Sequence, residues 1–144
     1  MSVPDPSGLG VLGLGTDLLE IPRLRAVLDR RPALIDRCFT DAERADLAPR
    51  RDAVPGLAVR FAAKEAVMKA LGVGIGAVAW HEVEVRATGS GAPEVVLHGR
   101  AAARATTCGV SGWRLSLSHT GQSALAVAPR SEEHTSELQS HHDL

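Results

Sequence analysis

The chain has 144 residues, 44% hydrophobic and 23% charged, with a formal net charge of −1 at neutral pH. That length suits one domain with a buried core and is too short for two, and the composition excludes a disordered chain. No apolar run approaches the roughly 18 residues of a membrane span, and with 3% aromatic residues and no tyrosine there is no set of rings on which nucleic acid could stack.

The N-terminal MSVPDPSGLG lacks the basic-then-apolar order of a secretory signal, so the cytoplasm is the expected location. VLGLG, from Val11 to Gly15, predicts a buried strand that leads to Thr16 and Asp17. Ile21, Leu24, Val27 and Leu28 recur at helical spacing with Pro22 in the first turn, which predicts a helix over 22–30. Its other face carries Arg23, Arg25 and Arg30. Thr40 and Glu43 have the spacing of a capping box, so a short helix is expected over 41–47. A loop over 48–55 and a longer helix over 56–71 follow, with Gly72 as a left-handed cap. Val83, Val85 and Ala87 alternate with polar residues, GSGAP turns, and 94–98 returns, the pattern of a hairpin. A helix over 100–108 ends at Gly109. Trp113, Leu115 and Leu117 then alternate with Arg114, Ser116 and Ser118, Thr120-Gly121 turns, and 123–128 pairs back as the last strand. Cys38 and Cys108 lie in no CxxC pattern, which argues against a zinc site or a disulfide and for reduced, packed thiols.

Residues 130–144, RSEEHTSELQSHHDL, are polar and aperiodic and follow the strand that ends the domain. Translating a common sequencing-library adapter gives a peptide that resembles RSEEHTSELQS. The expected organisation is therefore a domain of residues 1–129 and a non-native tail of 130–144. The tail holds one basic and four acidic residues, so residues 1–129 carry a net charge of +2. It also holds His134, His141 and His142, half of the six histidines, which would mimic a metal cluster.

On a helical wheel Leu57, Phe61, Met68 and Leu71 form an apolar stripe with Lys64 in its middle. Two readings stand: a lysine that snorkels its ammonium outward, or a cation held where a phosphate arrives. Glu65 and Lys69 have the spacing of an ordinary helix ion pair, worth roughly 0.2–0.5 kcal/mol. Lys64 and Lys69 are the only lysines among 16 basic residues, which suggests that a compact ammonium is wanted there. Asp17, where a strand meets a helix, could cap backbone amides. With Glu65 it could instead hold magnesium, which needs one or two protein carboxylates beside phosphate and water. His119, at the end of the alternating strand, reads on its own as a core histidine. Glycines 13–15 and 72–76 lack phosphate-loop spacing.

Three segments in this order, GLGTDLLEI (13–21), RFAAKEAVMKALG (60–72) and LSLSHTG (115–121), closely resemble the holo-[acyl-carrier-protein] synthases, the short 4′-phosphopantetheinyl transferases. The resemblance spans most of residues 11–128. It implies an α+β fold of the 4′-phosphopantetheinyl transferase type, a mostly antiparallel sheet packed against a long helix, with sites at the interfaces of a homotrimer. It also implies transfer of phosphopantetheine from coenzyme A to a serine of apo acyl carrier protein, releasing 3′,5′-ADP. Asp17 and Glu65 would then hold magnesium. Asp17, Glu65 and Lys69 are the expected catalytic residues, with Lys69 facing the attacked phosphate and Glu65 taking the serine proton. Arg60, Lys64, Ser118, His119 and Thr120 are expected to line the nucleotide. Arg23, Arg25, Arg30 and Arg31 would offer a basic face to an acidic carrier. The turn written Gly-Lys-Pro in that family is Gly91-Ala92-Pro93 here, so no lysine can contact nucleotide from it. The competing readings are a non-catalytic carrier-protein-binding or nucleotide-binding domain of the same fold, and a small magnesium-dependent phosphohydrolase, for which no dense carboxylate cluster is present.

Overall fold

A computed structural model describes residues 11–18, 20–74, 76–89, 93–118 and 123–129, as backbone only over 11–18, at 118 and over 123–129. The chain runs β1 (Val11–Leu18), α1 (Ile21–Arg30), α2 (Leu34–Cys38), α3 (Asp41–Leu47), α4 (Val54–Leu71), a 3-10 turn (Trp80–Glu82), β2 (Val83–Arg86), β3 (Glu94–Leu97), α5 (Gly99–Cys108), β4 (Arg114–Ser118) and β5 (Ser123–Pro129). The fold class is α+β, as expected.

Local chemistry accounts for most boundaries. Pro22 sits in the first turn of α1, where its missing N–H is no loss. The capping box of α3 is complete: Thr40 Oγ1 accepts the Glu43 amide at 3.1 Å and Glu43 Oε1 accepts the Thr40 amide at 2.9 Å. Gly72 and Gly109 close α4 and α5 at φ 72° and 80°, left-handed values that glycine adopts without a steric penalty. Two differences from expectation are local. The helix α4 starts at Val54, inside the expected loop, because Pro55 fits its first turn. The five-residue α2 has no side-chain cap and is too short to show a period.

β1, β5 and β4 form one antiparallel sheet in that order, and β2 pairs with β3 in a separate hairpin. The helix α4 packs across β1 and β5. Two apolar clusters meet on it. One joins Ala62, Ala63, Ala66, Val67, Met68 and Leu71 to Val83 and Val85 of β2 and Ala101 and Ala105 of α5. The other joins Leu57 and Ala58 to Leu24 and Leu28 of α1, Cys38, Phe39 and Leu47. The expected one-sided stripe is thus corrected. Residues Gly56–Arg60, Ala62–Lys64, Ala66–Met68 and Leu71 are all buried, so α4 is a central helix covered on nearly every side. Its alanines let neighbouring backbones approach closely. Cys38 and Cys108 are free thiols, and burial pushes the Cys38 pKa up. Among the described residues no helix is long and apolar enough to cross a membrane.

Candidate functional site

Asp17 lies in one row of the sheet with Ala124 and Leu117, and Leu18, Ser123 and Ser118 form the next row. Asp17 and Ser118 therefore share an end of the sheet, two strands or roughly 10 Å apart. Glu65, half-buried, and Lys69, exposed, lie one turn apart on α4, the helix that covers β1 and β5. An aspartate and a glutamate form an all-oxygen donor pair suited to a hard cation such as magnesium. His119, Thr120, Gly91, Ala92 and residues 130–144 lie outside the described residues.

Lys64 is fully buried. Its ammonium donates to Glu43 Oε1 at 2.8 Å, to the Val83 carbonyl at 2.5 Å and to the Trp80 carbonyl at 3.2 Å. It also stands 5.1 Å from the centre of the Phe39 ring. An ammonium has three N–H donors, and all three are engaged inside the protein. This corrects both expectations for the residue. Lys64 does not snorkel, and as placed it offers no proton to a nucleotide phosphate. Burial pushes its pKa down, and the Glu43 carboxylate opposes that shift.

Arg60 is buried to 6% exposure but differently served. Its Nη1 donates to the Gly56 carbonyl at 3.3 Å, and its Nε has no hydrogen-bond partner among the described residues. Burial pushes its pKa down, and neighbouring Arg50 adds to that shift. Arg50 Nη1 also reaches within 3.4 Å of where a Cβ on Gly56 would stand, so two guanidiniums converge over this glycine. Two nearby acids oppose the downward shift of Arg60, Glu43 and then Asp46, but Glu43 is already paired with Lys64 at 2.8 Å and Asp46 is bound to Arg86 at 2.9 and 3.3 Å and to the Ala87 amide at 3.1 Å. Two like charges around an unsatisfied buried N–H suit an anion. Arg50 was missed in the sequence, where only its pairing with Arg51 marked it.

The basic helix α1 divides. Arg25 forms an exposed ion pair with Asp52 at 2.7 Å, and Asp52 also accepts the Val54 amide at 3.1 Å, so the pair fastens α1 to the start of α4. Arg25 itself stays exposed on the basic face of α1. Arg23, Arg30 and Arg31 are exposed. Arg23 rims a cavity of about 260 Å³ lined by Leu24, Val27, Leu28, Phe39 and Phe61 with Trp80. The Phe61 and Trp80 rings stack there with centres 4.4 Å apart.

The family model for the 4′-phosphopantetheinyl transferase superfamily matches residues 13–128. A holo-[acyl-carrier-protein] synthase of Moorella thermoacetica is 46% identical over 118 residues, covering 82% of this chain and 92% of the relative. The crystal structure of a holo-[acyl-carrier-protein] synthase of Neisseria meningitidis superposes with a TM-score of 0.72 at 33% identity, covering 83% of this chain and 99% of that one. A third similar structure is a holo-[acyl-carrier-protein] synthase of Bacillus anthracis in complex with coenzyme A (3′,5′-ADP). Its TM-score is 0.67 at 31% identity, covering 84% of this chain and 98% of that one.

Proposed function

The chain belongs to the 4′-phosphopantetheinyl transferase superfamily, and from that membership we propose holo-[acyl-carrier-protein] synthase activity. The enzyme transfers the 4′-phosphopantetheine of coenzyme A to a serine of apo acyl carrier protein and releases 3′,5′-ADP. The geometric observation that carries this reading is Arg60, a buried guanidinium that lies beside Arg50 and whose Nε has no partner among the described residues. It is suited to a phosphate of the nucleotide.

Each proposed role follows from charge and position. Asp17 and Glu65 are the carboxylates that would hold magnesium, and the bound ion would neutralise charge on the pyrophosphate. Lys69, exposed one turn beyond Glu65, faces the β-phosphate as a point charge while the serine oxygen attacks and the ADP oxygen leaves. Such transfers depend mainly on positioning and charge neutralisation. Glu65 takes the serine proton. Arg60 with Arg50 binds a nucleotide phosphate, and Ser118, His119 and Thr120 line the nucleotide. The acidic carrier docks on α1 through Arg23, Arg25, Arg30 and Arg31, with an apolar side chain in the cavity beside Arg23. The sites lie between subunits of a homotrimer, in the cytoplasm, where the free thiols of Cys38 and Cys108 stay reduced. Residues 130–144 form a tail foreign to the domain. An intact native reading frame encoding it would refute that last point.

The deciding experiment incubates the protein with apo carrier protein, coenzyme A and magnesium and weighs the carrier by mass spectrometry. The expected result is one added phosphopantetheine that depends on magnesium. Binding of coenzyme A without any mass gain would replace the transferase reading with the non-catalytic alternative.

A further inference from the structure

Glu65 and Lys69 carry the proposed chemistry, yet the residue before Glu65 is a fully buried ammonium whose donors are all engaged inside the protein. Its counter-ion Glu43 is buried just as completely. Glu43 Oε1 accepts from Lys64 at 2.8 Å and from the Thr40 amide at 2.9 Å, and Oε2 accepts from the Val85 amide at 2.8 Å. One carboxylate therefore ties together the start of α3, the middle of α4 and strand β2. Lys64 adds bonds to the Trp80 and Val83 carbonyls, so α4 is held from the 3-10 turn as well. The network continues outward. Thr40 Oγ1 donates to Glu84 Oε2 at 2.6 Å, and Glu84 Oε1 lies 2.9 Å from His98 Nε2.

Stability alone does not account for such a pair, because apolar residues of similar volume often serve a core as well or better. What the pair adds is direction. On the same face of α4 Leu57, Phe61, Met68 and Leu71 pack by shape, apolar contacts that carry no directional bond to set the rotation of the helix about its axis. Lys64 fixes it, since its ammonium has to meet three acceptors at set positions. Successive helix residues differ by about 100°, so with Lys64 held inward Glu65 lies about 100° and Lys69 about 140° around the helix. We propose that Glu43 and Lys64 are positioning residues: their buried pair sets the rotation of α4 and so aims Glu65 and Lys69 at the reacting phosphate. This rests on the catalytic reading of Glu65 and Lys69.

The double variant Glu43→Gln/Lys64→Met tests it, because it removes both charges together while keeping side-chain length. The readouts are kcat, KM for coenzyme A, the magnesium concentration for half-maximal rate, and the urea midpoint. A misaim of about 1 Å is enough to cost roughly a hundredfold in rate. The expected result is a folded protein whose kcat falls at least about tenfold, whose KM for coenzyme A stays within about twofold, and which needs more magnesium. A folded double variant with wild-type kcat and magnesium requirement overturns the proposal, whatever its urea midpoint. If the double variant does not fold, Glu43→Asp takes its place, keeping the charge but drawing it back by one methylene. The same kcat loss is expected, and wild-type kcat, or failure of this variant to fold as well, assigns the pair to stability and overturns the proposal. Absence of transfer by the wild-type protein would instead sink the functional reading, and this inference with it.

Discussion

Two buried cations on α4, Lys64 and Arg60, mark the difference between a group that completes the fold and one that awaits a ligand. Lys64 has a partner for every N–H. Arg60 has an Nε without a partner among the described residues and a second guanidinium nearby. A buried polar group without a partner costs free energy, so Arg60→Met is expected to leave the urea midpoint unchanged or raised. The same change should weaken coenzyme A binding about tenfold or more, the scale of a lost charge-assisted hydrogen bond. Titration calorimetry with coenzyme A checks this, and undiminished affinity would remove Arg60 from the nucleotide site. The sequence singled out both residues but could not tell them apart. A helical wheel gives the side of α4 on which Lys64 lies, not that Glu43, 21 positions away, meets it. Glu43 itself was legible only as a helix cap, which is half of what it does.

At the scale of elements, legibility followed the strength of local signals. The helices α3, α4 and α5 were readable because a capping box or a terminal glycine marked them. The helix α2 had neither a cap nor enough length, and the start of α4 was hidden because Pro55 reads equally well as loop. The burial of α4 was misjudged for a related reason. Its alanines add little to an apolar stripe on paper, but in the fold they are the surfaces on which β2, β5 and α5 close. The capping box offers a test at this scale. Thr40→Ala removes the acceptor of the Glu43 amide and the donor to Glu84, so a loss of about 1–2 kcal/mol is expected in urea denaturation. A loss below about 0.5 kcal/mol would mean that water replaces both contacts and that the cap does not hold α3 against β2.

For the whole molecule, the order of the three motifs along the chain was legible and their meeting was not. That β1 pairs with β5, bringing Asp17 into one row with Leu117 of β4, depends on contacts across more than a hundred residues, which no local pattern encodes. The helices and hairpin around that sheet are joined by carboxylates, and this gives the domain a definite response to acid. Backbone N–H groups of Ala79 and Arg100 hold Glu82 below the ordinary carboxylate range, and the Arg86 guanidinium does the same for Asp46. At Glu84 burial pushes upward, but hydrogen bonds from Thr40 and His98 outweigh it and the net shift is down. A carboxyl with a lowered native pKa contributes stability that is present above its unfolded value, near 4, and is lost as pH falls through the native value. The urea midpoint is therefore expected to hold between about pH 7 and 5 and to fall steadily below about pH 5. Glu82→Gln should be less stable at neutral pH, with a shallower acid limb, because it no longer takes up a proton on unfolding. A midpoint that stays level down to about pH 3, or a variant whose acid limb matches the wild type, would show that these carboxylates do not link the hairpin and α5 to the rest of the fold.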